Sequence, residues 1–467
     1  MSDGPASSIP ASARAAATVR EELGAQARLA PPLVLGFVGN QLMSLVDTAM
    51  VGRLGSAALA ATGIGGSLYF ACAVLGLGLV IGMDPLVAQA VGAGEPAKAR
   101  RLLWQGTRVG LVASLPAMAA LAGLTLALGL IGVEAETAGL TGRFLAGRAL
   151  SMPLFLAFAA VRSYLQAIGR ARSIVVATVV SNVVNLVGNA VLVFGDGSLA
   201  WLGLPGIGLP ALGVFGSGLA STLAQGAGLF IVARAVAAHP TPHDPERRAL
   251  DRDLVKKVVR LGLPISWQLV AEVGAFAVAA ALAGRMGKVP AAAHQVALQL
   301  AAFTFQIALG ISAATAVRVG HRVGQHDTPG ARRAGFVGFA LGLAVMSVGS
   351  LVFALSPGPL VRLLTDDAEV IAASLALVRI AAIFQLSDGA QVVGAGALRG
   401  AGDTESAKRW NVLGHYVVGI PLGVALGLGL GWGAPGLWWG LTAGLTVVGV
   451  SLTWRFHRLS RGTIGRA

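Results

Sequence analysis

The chain has 467 residues, of which 55% are hydrophobic and 12% charged, with a mean hydropathy of +0.75. An average soluble domain is about 25% charged, so this composition excludes an ordinary soluble protein. The net charge of +14 lies mostly in loops between apolar stretches, where it signals membrane topology rather than nucleic-acid binding, and the single Cys72 excludes an internal disulfide.

Residues 1–27 are polar and Ala-rich, without the apolar core of a signal peptide. Apolar stretches then follow near 32–54, 58–90, 104–130, 138–165, 173–196, 211–237, 258–284, 291–320, 334–356, 368–397, 409–431 and 434–456. Each is close to the roughly 20 residues that cross a bilayer core as a helix. Barrel strands would alternate over about ten residues instead. The 65 glycines suit helices packed closely in lipid. The reading is an all-α polytopic membrane protein of about twelve spans. Lys and Arg gather after even-numbered spans: Lys98, Arg100 and Arg101; Arg170 and Arg172; Arg247 to Arg260; Arg322, Arg332 and Arg333; Arg399, Lys408 and Arg409. Positive loops stay cytoplasmic, which places both termini in the cytoplasm.

The chain repeats itself. "RLAPP" at 28–32 matches "RLGLP" at 260–264, an offset of 232. At that offset Arg53 meets Arg285, Gly55 meets Gly287, Gly92 meets Gly324, and Glu95 meets Asp327. "LQAIGRAR" at 165–172 echoes "LRGAGDTE" at 398–405. The expected organisation is a cytoplasmic N-terminal segment 1–31, an N-lobe 32–237, a cytoplasmic linker 238–257, a C-lobe 258–456 and a tail 457–467. Parallel six-span repeats of this kind occur in transporters with sites near the midplane.

Span one carries Asn40, Gln41, Ser44, Asp47 and Thr48, and span five carries Asn182, Asn185 and Asn189 at helical spacing. Together they suggest an oxygen-rich pocket around one carboxylate, suited to a proton or a small hard cation. Glu272 in span seven, Gln385, Asp388 and Gln391 in span ten, and His294, Gln295, Gln299 and Gln306 in span eight form a second polar set. Taken singly, each Asn or Gln is also explained by an interhelical hydrogen bond worth about 0.6 kcal/mol. The carboxylates are not so cheaply explained, because an ionised Asp at mid-span costs about 2.5–3.5 kcal/mol. Asp84, beside Pro85, falls where span two could be interrupted, and Arg143, Arg148, Arg162 and Arg318 read as snorkelling or cavity-facing. No P-loop, HExxH or cysteine pair is present, so no enzyme constellation and no cofactor is expected.

Four stretches in order, "MSLVDTAMVGRLG", "LVAQAVGAGEPAKARR", "LGLPISWQLVAEVGAF" and "DGAQVVGAGALRGAGDT", resemble the multidrug and toxic compound extrusion (MATE) transporters, in their bacterial NorM-like branch. The resemblance covers nearly the whole chain. It implies two six-helix lobes around a central cavity in the bacterial inner membrane, working without a cofactor and as a monomer. It implies export of small amphipathic, often cationic compounds in exchange for Na+ or H+. By this resemblance Asp47, Asn185, Asn189, Ser221, Glu272 and Asp388 are the cation-coupling residues, with Asp47 the place for any Na+. Gln41, Gln295, Gln299, Gln385 and Gln391 are candidate cavity residues. Phe384 joins them and stands where the family pattern has an aromatic hydroxyl, which removes an oxygen ligand for sodium in the second half. The alternative is a flippase for a lipid-linked or polysaccharide precursor on a related architecture.

Overall fold

Inside a bilayer every backbone N–H and C=O must find its partner within the protein, which leaves long helices as the solution for a chain of this hydropathy. The computed structural model describes residues 18–197, 203, 208–242, 244–245 and 247–467. Among these, eleven helices are long and apolar enough to cross a membrane, and a bent pair adds a twelfth. In chain order they are α1 (Val19–Gly52), α2 (Ser56–Gly92), α3 (Pro96–Leu126), α4 (Ala135–Arg148 and Ser151–Ala167, bent by 47°), α5 (Ala171–Phe194), α6 (Gly213–Ala237), α7 (Arg252–Arg285), α8 (Lys288–Gly324), α9 (Thr328–Leu355), α10 (Ala368–Gly400), α11 (Thr404–Gly429) and α12 (Ala434–Leu459). Two stretches of α11, Leu413–Gly419 and Ala425–Gly429, are π-helical.

The internal repeat is realised in three dimensions. α1 and α7 are both 34 residues long, and α2 and α8 both 37. Gly55 (φ 115°, ψ 173°) and Gly287 (φ 123°, ψ 174°) precede α2 and α8 with the same backbone, one that side-chain-bearing residues rarely adopt. α2 departs from its counterpart at one point: it breaks at Gly82, whose missing side chain lets it press on the α7 backbone at Val258 and Gly262.

α1 starts at Val19, well before the expected boundary at 32, so residues 19–31 of the N-terminal segment are helix. Thr18 accepts from the Glu21 backbone while the Glu21 carboxylate accepts from the Thr18 N–H, a capping box that starts the helix among polar residues. The extra turns bury Glu22, which is 0% exposed, against the other half. Arg318 donates to it at 3.0 and 2.8 Å, and Arg322 at 2.7 and 2.5 Å. Arg318 is therefore ion-paired rather than snorkelling. α7 likewise starts at Arg252, inside the expected linker, capped by Asp251.

The halves meet along α1–α8 and α2–α7. Gly310 faces Val34, Gly78 faces Ser266, and Gly92 and Gly324 lie against the α8 and α2 backbones. Ser266 donates to the Leu75 carbonyl at 2.7 Å, Gln26 to that of Ala334 at 2.6 Å, and Gln89 to that of Gly400 at 3.1 Å. Near the end of the chain Arg466 forks onto Glu95 at 2.8 and 2.7 Å. These links run from the end bearing the basic loops up to mid-height, where Gln306 donates to Gln41 at 3.3 Å. Among the described residues no inter-half hydrogen bond or ion pair lies beyond that level, toward the ends of α1 and α7 at Gly52 and Arg285. The hydrogen bonds and ion pairs between the halves thus lie on the basic-loop side, up to mid-height.

Glu22→Ala should lower stability by about 3–5 kcal/mol, because it strands two arginines at the lobe interface; thermal unfolding of the purified protein in detergent checks this. Arg466 holds the Glu95 carboxyl down at about 2, from an ordinary 4.5. A folded-state value below the unfolded one adds stability at neutral pH that is lost as pH falls. The Tm advantage of wild type over Glu95→Gln should therefore be full at pH 7 and disappear between pH 4.5 and 2.

Candidate functional site

Asp47 lies near the end of α1 and is 6% exposed. Helical spacing on α5 brings Asn185 and Asn189 one turn apart toward it, and their amide N–H groups donate to its Oδ1 at 2.8 and 2.7 Å. Ser221 of α6 donates to Oδ2 at 2.8 Å. Arg148, at the bend of α4, brings Nη1 to 3.9 Å from the same oxygen and stacks 4.4 Å above the Tyr69 ring. Sequence reading gave Arg148 no role; its signal would have been a guanidinium in an apolar span with no acid within a turn of it on its own helix. The Asn185 and Asn189 side-chain oxygens remain buried and unpartnered. They stand beside a carboxylate as ligands that a hard cation accepts.

The rest of the polar set on α1 does not join this pocket. Asn40 and Ser44 are exposed, Thr48 donates back to the Ser44 carbonyl, and Gln41 faces Gln306 of the other half. Six residues at about 100° each turn Gln41 well away from Asp47. Asn182 donates to the Gly39 and Thr178 carbonyls, a packing role.

In the C-lobe, Glu272 and Asp388 are both buried and lie close enough to feel each other's charge. Gln391 donates to Glu272 at 3.4 Å. Two residues that the sequence reading missed, Asn411 and His415, approach Glu272 from α11. His415 sits in the π-helical stretch and is fully buried, with Nδ1 3.0 Å from the Asn411 carbonyl. A π-turn in a membrane helix is a frequent mark of a functional position, and it was the missing signal because it leaves no trace in residue type. Phe384 and Gln385 also lie inside the lobe: Phe384 packs edge-on against Trp438 and Phe276, and Gln385 is buried beside Gly349. Gln391 belongs to the carboxylate cluster, while Gln295 and Gln299 are exposed on α8 one turn apart. His294 is a packing residue, accepting from the Trp438 indole at 3.2 Å.

Asp84 follows the break in α2. Ser163 donates to its Oδ1 at 2.5 Å, and Arg399 of the other half lies 3.7 Å from its Oδ2. The glycines before and after Arg399 are close-packing residues, as expected: a Cβ at Gly396 or Gly400 would meet the α8 backbone at Ser312 or Ala316. Among the described residues no group of three or more His, Cys, Asp or Glu side chains is placed to hold a metal ion.

Ser221→Ala should cost about 1–3 kcal/mol, since it removes a donor from a buried carboxylate. Ser217→Ala, one turn earlier on α6 and with its hydroxyl buried and unpartnered, should cost little or stabilise. Paired thermal-unfolding curves of the two variants measure the contrast.

The MatE family profile matches residues 32–191 and again 264–425, so its two matches begin at the same offset as the internal repeat. A "Probable multidrug resistance protein NorM" from Rhodopseudomonas palustris is 38% identical over 99% of this chain and 98% of its own, and one from Bradyrhizobium diazoefficiens is 37% identical over 94% of each. Among solved structures, the eukaryotic MATE transporter AtDTX14 superposes with a TM-score of 0.83 at 21% identity over 95% of this chain and 98% of its own. A mutant of the Vibrio cholerae MATE transporter VcmN gives 0.85 at 19% identity over 96% and 99%. These structures share the fold, and the sequence relatives fix the lineage. The chain belongs to the multidrug and toxic compound extrusion family of membrane transporters and is not an enzyme.

Proposed function

We propose that this transporter exports small amphipathic, often cationic organic compounds from the bacterial cytoplasm across the inner membrane, in exchange for inward movement of Na+ or H+. The observation that carries the reading is the buried Asp47 carboxylate with its three donors and two unpartnered amide oxygens. A carboxylate in this setting favours whichever cation can reach it. Asn185 and Asn189 have oxygens to offer an entering Na+, whereas an entering proton needs only Asp47. Arg148 stands by as a resident counter-charge when neither is present. Neutralising Asp47 releases Arg148 and changes which packing of α1, α4, α5 and α6 is preferred, and an equilibrium between two lobe arrangements shifts by that differential affinity.

In the C-lobe, Glu272 and Asp388 are the second cation-coupling pair, supported by Gln391, Asn411 and His415. Two buried carboxylates this close repel when both are charged, so a cation between them lowers the energy of the pair. Phe384 offers no oxygen there. The cavity residues Gln41, Gln295 and Gln299 supply adaptable hydrogen bonds on an otherwise apolar wall, which suits varied ligands. The side at the ends of α1 and α7 is the outward one, with the basic loops facing the cytoplasm, as the positive-inside rule directs. Both termini are then cytoplasmic, and the protomer needs no partner to complete the site.

Purified protein in vesicles should export a cationic dye when either a sodium or a pH gradient is imposed, and the effective gradient identifies the ion. Asp47→Asn should reduce that export at least tenfold while the protein remains folded. If neither gradient drives any cationic dye and the Asn variant matches wild type, the export reading fails and the lipid-precursor flippase takes its place.

A further inference from the structure

A third charged group lies at the lobe interface, on the basic-loop side of mid-height. Arg162 (α4) and Asp84 (α2) come from the N-lobe, and Arg399 (α10) from the C-lobe, so the group carries two guanidiniums against one carboxylate. It sits between two layers of inter-lobe bonds. On one side Gln306 meets Gln41; on the other His321 Nε2 is 2.8 Å from the Ala167 carbonyl and Gln89 bonds that of Gly400. Asp84 and Arg399 each keep 17% of their side-chain surface accessible.

The positive surplus has a specific owner. Arg399 reaches Asp84 at 3.7 Å and the Ser312 hydroxyl at 3.4 Å, both long contacts. Asp84 spends its better bond on Ser163. Arg162 stacks 4.7 Å over the Phe37 ring, its Nε is buried without an acceptor, and among the described residues it forms no ion pair within 4 Å. An arginine is placed in the membrane interior at a cost that a binding role explains. Its planar fork matches a carboxylate through two parallel hydrogen bonds.

We propose that Arg162 and Arg399 form a subsite for the carboxylate of an amphipathic organic anion or zwitterion, which competes with Asp84 for Arg399. The proposal rests on the export reading and narrows its substrate class. It also gives recognition a structural consequence. Asp84–Arg399 is one of the ion pairs that join the lobes at the basic-loop end, and a ligand that takes Arg399 from Asp84 weakens that join. The ligand thereby favours the arrangement in which that end parts.

The test uses two dyes that share one xanthene cation: rhodamine 19, with a free carboxylate, and its ethyl ester rhodamine 6G. Dissociation constants are read by fluorescence polarisation on full-length protein in detergent. Arg162→Gln should raise the Kd of rhodamine 19 at least tenfold more than that of rhodamine 6G, and Arg162→Lys should recover part of the difference. In the wild type, excess benzoate should displace rhodamine 19 and leave rhodamine 6G bound, a result that needs no variant to fold. A Kd ratio unchanged by Arg162→Gln, or benzoate that displaces neither dye or both alike, overturns the subsite. Gradient-driven uptake of rhodamine 6G into vesicles is scored separately. If it is absent while the Kd ratio shifts as expected, the export reading fails and the subsite stands.

Discussion

The cost of placing charge inside a hydrocarbon layer shapes this molecule more than any other term. Asp47, Asp84, Glu22 and Glu272 are each met by a definite set of partners, while Asp388 has Glu272 for a neighbour. Asp47 is satisfied within its own lobe by α5, α6 and the bend of α4. Glu272 is met by Gln391 and by Asn411 and His415 of α11. Glu22 and Asp84 instead find arginines across the interface, so the same cost that holds a lobe together also ties one lobe to the other. Ion pairs of this sort are poor sources of net stability, because desolvation offsets much of the attraction. In the export mechanism proposed above, their value lies in being exchangeable: an entering ion replaces a partner and changes which arrangement is preferred.

Small residues make that exchange mechanically plausible. Between helices in lipid there is little hydrophobic drive, so association depends on close backbone approach. Gly78, Gly82 and Gly262 bring α2 against α7, and Gly310, Gly320 and Gly324 bring α8 against α1 and α2. At these points the backbones meet closely, and one apolar cluster containing Leu33, Val80 and Met83 from one half and Val258 and Ile311 from the other continues across the contact.

The two lobes share a scaffold and not a site. At the repeat offset Asp47 corresponds to Ala279, Glu272 to Asn40 and Asp84 to Ala316. Helix lengths and the turn glycines Gly55 and Gly287 are kept because both repeats have the same bilayer to cross and the same turn to make. The charged positions differ between the repeats: Asp47 and Glu272 are answered within their own lobes, Asp84 by Arg399 across the interface. The N-lobe acid faces amides and a hydroxyl, while the C-lobe acids face one another and a histidine on a π-turn.

Hydropathy, loop charge and the repeat by themselves determined the span count, the division into two lobes and the mid-span acids Asp47, Asp84, Glu272 and Asp388, because those features follow from the energetics of single residues and helices in a bilayer. Asn185 and Asn189 were legible as partners of Asp47, since one helix face can be read from spacing. Tertiary structure alone decided the rest. It turned Gln41 away from Asp47, brought Arg148 to Asp47 and His415 to Glu272, and paired Glu22 with Arg318 and Arg322 nearly three hundred residues away. It also moved the start of α1 back to Val19, because that polar turn is stable only where the second lobe supplies its counter-charges. Spacing along one helix fixes which residues share a face; which face meets which neighbour depends on how twelve helices pack, and no local pattern carries that information.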